Sequence, residues 1–179
     1  FRDKYNPTLI YAGIEGDWTE CTNWELDNSN INANYIQTLD LVIISLQRIK
    51  LLSKNKVLDI CNIELDKFIE SYSILKKELI IEFNKPIEEG GFWSDSLGFY
   101  IHFNYGKGNN VHGYLYFEST VNYFSILWNI CPESKKELLF LFLNKNHAKL
   151  EMPYPVLTNF LPRTGARRLS YGKTVTNGD

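Results

Sequence analysis

Two histidines, His102 and His112, lie in aromatic-rich segments on either side of Gly106-Lys107-Gly108-Asn109-Asn110. Phe99, Ile101, Phe103 and Tyr105 alternate with Tyr100, His102 and Asn104; Val111, Leu115 and Phe117 alternate with His112, Tyr114 and Tyr116. A period of two predicts strands, and the glycine-containing loop predicts an antiparallel hairpin. Pairing about that loop sets Asn104 opposite His112 and His102 opposite Tyr114, making the two histidines diagonal neighbours roughly 7 Å apart at the backbone. With Glu118 or Asp95, such a pair has the donors to hold a metal, or to act as acid and base in phosphodiester cleavage. A third ligand, an activating base and a cationic phosphate cradle are not evident beside it. The expectation is therefore no catalytic residues, no metal and no cofactor, the hairpin being an aromatic sheet face covered by a helix or a partner. A histidine-dependent nuclease or metal hydrolase centred on the 99–117 hairpin is the enzymatic alternative.

Other short patterns carry less. Glu133-Ser134-Lys135 contains the Glu-x-Lys half of a metal-dependent nuclease core, but Pro132 marks a helix start there instead. Leu161-Pro162-Arg163-Thr164-Gly165 matches a cell-wall sorting signal in letters, yet Ala166 to Asp179 is polar where that signal needs an apolar span. Gly106-Lys107-Gly108 lies between strands rather than between a strand and a helix, so it is no phosphate loop. Glu88 and Glu89 beside Gly90-Gly91 read as solvated turn acids. Cys61 near a helix start reads as a structural thiol.

The strongest signal is electrostatic. Between Lys4 and Arg48 there is no lysine or arginine, while Glu15, Asp17, Glu20, Glu25, Asp27 and Asp40 lie there, interleaved with Trp18 and Trp24. The whole chain carries a formal charge of only −2, so positive charge is segregated elsewhere. An acidic field of this kind attracts a basic partner. Nucleic acid is the wrong partner, because it draws its affinity from Lys and Arg at phosphates, and the sequence pI is about 6.0.

At 179 residues, with 44% hydrophobic and 15% aromatic residues, the chain has enough material for one core burying roughly 70% of its unfolded surface. Cys21, Cys61 and Cys131 are odd in number and widely spaced, which fits neither a disulfide framework nor a thiolate zinc site and favours a cytoplasmic setting. No run of apolar residues is long enough to span a membrane.

The elements that must position these residues follow from periodicity. Thr8 to Ala12 reads as a short strand. Asn32, Ile36, Leu39, Ile43 and Leu46 predict a helix over 32–53. Leu65, Phe68, Ile69, Tyr72, Leu75 and Leu79 predict a second over 63–82, which Pro86 cannot continue. Ser119 to Ile130 favours helix over strand, and Pro132-Glu133-Ser134 opens a short helix to about Asn144. The fold expected is α+β: an antiparallel β-sheet packed with two long helices and a shorter C-terminal helix, in a single domain over 1–179 with an extended tail at 163–179.

The Glu15 to Asp27 segment and the aromatic run from Gly91 to Trp128, in a mildly acidic chain of this size, resemble in general character the immunity proteins that neutralise toxins in bacterial competition. That resemblance implies an antitoxin, a protein-binding inhibitor that occludes the active site of a basic, nuclease-like toxin. Glu15, Asp17, Glu20, Glu25 and Asp27 would steer association, and Trp18 and Trp24 would anchor it. A structural subunit of a larger assembly is the remaining alternative.

Overall fold

Apolar residues at three- and four-residue steps build two long helices, α1 (Asn28–Leu52) and α2 (Asp59–Phe83), which pack against each other. This computed structural model describes residues 7–10, 28–52, 59–105, 112–117 and 119–150; for 59–63, 102–105, 112–116, 119 and 146–150 it describes the backbone alone. Lys76 pairs with Asp40 and Lys50 with Asp66, cross-linking α1 and α2 at two levels. Both helices begin earlier than their apolar period predicts. In α1 the added turn is polar but buried, comprising Asn28, Ser29 and Asn30.

Helix α2 ends where proline requires. Pro86 lacks an N–H and pushes Lys85 out of helical conformation, and the chain turns through a short 3-10 helix, Ile87–Glu89, closed by Gly90 at φ 89°. Glu88 and Glu89 are exposed on that turn. The next residue, Gly91, lies directly against the preceding backbone: a Cβ there would sit 2.1 Å from the Lys85 carbonyl oxygen. Only glycine fits such an approach.

Three antiparallel strands follow, β1 (Trp93–Ser94), β2 (Phe99–Tyr105) and β3 (His112–Phe117), in the order β1-β2-β3. Helix α3 (Ser119–Leu127) and helix α4 (Glu133–Leu150) complete the described chain. The α+β architecture is as expected: an antiparallel sheet, two long helices and a shorter helix near the C-terminal end. Ser119–Leu127 is helical, as its spacing favours, whereas α4 runs past Asn144 to Leu150. At Thr8–Ala12 the outcome differs: within residues 7–10 only Ile10 makes a β-bridge, and Tyr11 and Ala12 lie outside the described residues.

Around Phe99–Ile101, β2 is buried on both faces. Tyr100 joins Phe83, Phe92, Trp93, Leu79, Ile36 and Val121 in the larger core, with ring centroids 5.0 Å from both Phe83 and Trp93. Phe99, Ile101 and Phe117 point the other way, onto Leu139 and Phe142 of α4. The face of Tyr100 is thus closed over by α1, α2 and α3 rather than offered to a partner. Aromatic contacts of this kind add about 0.5–1.5 kcal/mol each beyond the area they bury. No helix among the described residues is long and apolar enough to cross a membrane. The expected tail at 163–179 lies outside the described residues.

Candidate partner-binding surface

Asn32 fixes both ends of the acidic segment. It is fully buried in the first turns of α1. Its Oδ1 accepts the Ile10 N–H at 2.9 Å, and its Nδ2 donates to the Ile10 carbonyl at 2.9 Å and to the Asn28 carbonyl at 2.6 Å. One side chain therefore ties together the residue that precedes Tyr11–Asp27 and the residue that follows it. Each bond contributes about 1 kcal/mol net, and losing a partner in a buried setting costs more. Neighbouring Leu9 is buried in the main core, so the anchor belongs to the folded body.

The residues expected to meet a partner, Glu15, Asp17, Trp18, Glu20, Trp24, Glu25 and Asp27, lie outside the described residues. Asp40, the remaining acid of the cation-free stretch, accepts Lys76 of α2. It serves the helix pair.

The histidine pairing drawn from the loop does not hold at the backbone. His112 is opposite Tyr105, Gly113 opposite Asn104 and Tyr114 opposite Phe103, with a register shift before Ile101 meets Phe117. His102 occupies that irregular step, so neither histidine has the partner that symmetric pairing assigns. A β-bulge is what absorbs the extra residue on β3. No group of three or more His, Cys, Asp or Glu side chains able to hold a metal occurs among the described residues.

A partly buried polar cluster that periodicity does not reveal joins the end of α2, β1, β2 and α4. The Tyr100 hydroxyl donates to Asn84 Oδ1, and Asn84 Nδ2 donates to the Ile80 and Ile130 carbonyls. Lys135 donates to the Asn84 carbonyl and lies 4.8 Å from the Trp93 ring centroid, while Trp93 Nε1 donates to Asp95 at 2.8 Å. Burial lowers the Lys135 ammonium from its ordinary value, opposed by the Asp95 carboxylate and by Cys131. Burial also raises the Cys131 thiol, against its hydrogen bond with Tyr100 and the pull of Lys136 and Lys135. Tyr100 is raised by burial and then by Cys131. Held neutral, the phenol and thiol are poor nucleophiles. Lys135 instead caps the carbonyl end of α2, where a cation suits the helix dipole. Glu133 turns outward to Lys136, so the Glu-x-Lys pattern does not converge on one point.

Comparison of the chain with family models, curated proteins and solved structures gives no match.

Proposed function

We propose that this chain is a protein-binding module that neutralises a basic toxin domain, in the manner of an immunity protein, by presenting the acidic segment Glu15–Asp27 to it and occluding its active site. The observation that carries the reading is the concentration of Glu15, Asp17, Glu20, Glu25 and Asp27 in a stretch free of Lys and Arg, whose two flanking residues are both held by Asn32. A nuclease active site is positive because it must hold phosphate, so an acidic surface both steers the encounter and competes with substrate. Anchoring the ends to the core lowers the ordering entropy that binding must overcome.

The test begins with capture of partners from the native host, followed by association kinetics of the purified pair. Charge reversal, Glu20→Lys with Glu25→Lys, should slow association at low salt and flatten its salt dependence while the fold is kept. Expression of the parent should also protect cells from the captured toxin. Equal association rates for parent and variant, or a captured partner that is itself acidic, would sink the reading.

A further inference from the structure

We infer that Pro7–Ile10 is a strap that opens as a local unit on a latch made by Asn32, freeing one end of the acidic segment while the core stays folded. Leu9 is 1% exposed, set in the main core, and Ile10 gives both backbone groups to the Asn32 amide at 2.9 Å each. The rest of the strap is shallower: Pro7 is exposed and has no N–H to donate, and the side chains of Thr8 and Ile10 are half-buried. In β2, by contrast, Phe99, Tyr100 and Ile101 are three successive residues with no exposure, and the Ile101 N–H donates to the Phe92 carbonyl at 2.9 Å. Local stability follows the buried contacts that must be given up together, so the strap opens more readily than β2.

Asn32 has the geometry of a latch because its hold on α1 does not depend on the strap. Ala33 and Ile36 keep that stretch of helix in the core. One hydrogen of Nδ2 goes to the Ile10 carbonyl and the other to the Asn28 carbonyl at 2.6 Å. The second bond keeps the amide oriented when the strap leaves, so Oδ1 and the first hydrogen stay aimed for its return. On opening, the acidic segment loses its fixed end at Ile10 and keeps the one at Asn28. The loop closure that pre-orders the segment is then gone, which lowers its affinity for a partner. The proposed binding surface thereby gains a closed and an open state, a role that rests on the proposed toxin-binding function.

Native-state hydrogen exchange of the full chain, read at single amides by NMR at successive low urea concentrations, tests this. The Ile10 amide should exchange at least about a hundredfold faster than the Ile101 amide and with little dependence on urea, because a local opening exposes little surface. Leu139→Ala, in the cluster against β2 that does not include Leu9, should speed exchange at Ile101 and leave Ile10 unchanged. Asn32→Asp keeps an oxygen for the Ile10 N–H but loses both donated bonds, so Ile10 should exchange at least about fivefold faster. Equal rates and urea slopes for Ile10 and Ile101 in the parent, equal acceleration of both by Leu139→Ala, or no acceleration of Ile10 in Asn32→Asp would overturn the inference. The parent's urea slopes decide the question even if a variant fails to fold. None of these measurements needs the toxin, so the strap can fail while the binding function stands, and charge reversal at Glu20 and Glu25 can fail while the strap stands.

Discussion

Asn122 holds Tyr100 as a neighbouring strand would: its Oδ1 accepts the Tyr100 N–H at 2.9 Å and its Nδ2 donates to the Tyr100 carbonyl at 2.9 Å. Chain geometry explains why a side chain is needed. By Ser119 the polypeptide has left β3 for α3, so the outward backbone groups of Tyr100 have a helix beside them. An asparagine amide, with one donor and one acceptor side by side, completes the ladder. Asn32 does the same for Ile10 at the opposite end of the sequence.

Asn122→Ala should therefore be costly. Both residues are fully buried, so the substitution strands a donor and an acceptor, each at about 1–3 kcal/mol. Urea unfolding should show a loss of about 2–4 kcal/mol. A loss under about 0.5 kcal/mol, the scale of ordinary surface substitutions, would mean that the pairing contributes little.

Gly91→Ala and Gly98→Ala separate steric contact from backbone strain. The Gly91 Cβ would overlap the Lys85 carbonyl, so the tight turn into β1 must open, and a loss of several kcal/mol is expected. Gly98 has φ 76° but its Cβ would meet only the Leu138 carbonyl at 3.7 Å, so the left-handed conformation alone costs about 1 kcal/mol. Thermal unfolding should rank Gly91→Ala well below Gly98→Ala; the reverse order would contradict the close approach at Gly91.

How far the sequence reveals these features depends on whether they follow a period. Helices α1 and α2 were legible because Ile36, Leu39 and Ile43, and Tyr72, Leu75 and Leu79, repeat on one face. The turn Asn28–Asn30 was not, because buried polar residues carry no apolar period. The end of α4 was hidden likewise: Asn144, Asn146 and His147 look like a stop, yet the helix continues. Symmetric pairing of the hairpin failed because a register shift of one residue leaves composition and alternation unchanged. The Tyr100–Asn84–Lys135 cluster spans residues far apart in sequence, and neither spacing nor motif marks it. Of the acidic segment, the sequence supplies the charge, and the structure supplies the Asn32 bonds to Ile10 and Asn28 on either side of it.

Cys131 should be inert while the protein is folded. It is 2% exposed and its thiol is raised from the ordinary value of 9.0. Its sulfur should react with a disulfide reagent only on unfolding. The linkage has a definite sign. The unfolded thiol ionises above pH 9.0 and the unfolded Tyr100 phenol above pH 10.0, while the folded protein holds both neutral. Their contribution to stability is therefore complete below pH 9.0 and declines as pH rises past those values. Lys135 runs the other way: its burial cost is relieved on deprotonation, so it adds stability as pH approaches 10.5. Cys131→Ala should reduce the alkaline loss of stability relative to the parent, as read by urea midpoints at successive pH values. An unchanged pH profile would remove the thiol from the linkage.

The final prediction concerns Trp18 and Trp24, and it separates contact from core. Large aromatic side chains carry much of the truncation-sensitive energy at interfaces, often 2 kcal/mol or more each, because they bury wide surfaces at low entropic cost. Both tryptophans lie among the acids of the segment whose ends Asn32 secures, so in the proposed complex they meet the partner. Trp18→Ala and Trp24→Ala should each raise the dissociation rate from the captured toxin by more than about tenfold, while leaving the urea midpoint of the free protein nearly unchanged. Charge reversal at Glu20 and Glu25 should act on the association rate, and the two effects should be close to additive. If either tryptophan variant unfolds more readily by several kcal/mol, that ring belongs to the core and cannot anchor the partner. If both variants keep the parental stability and dissociation rate, the anchors must lie elsewhere on the protein.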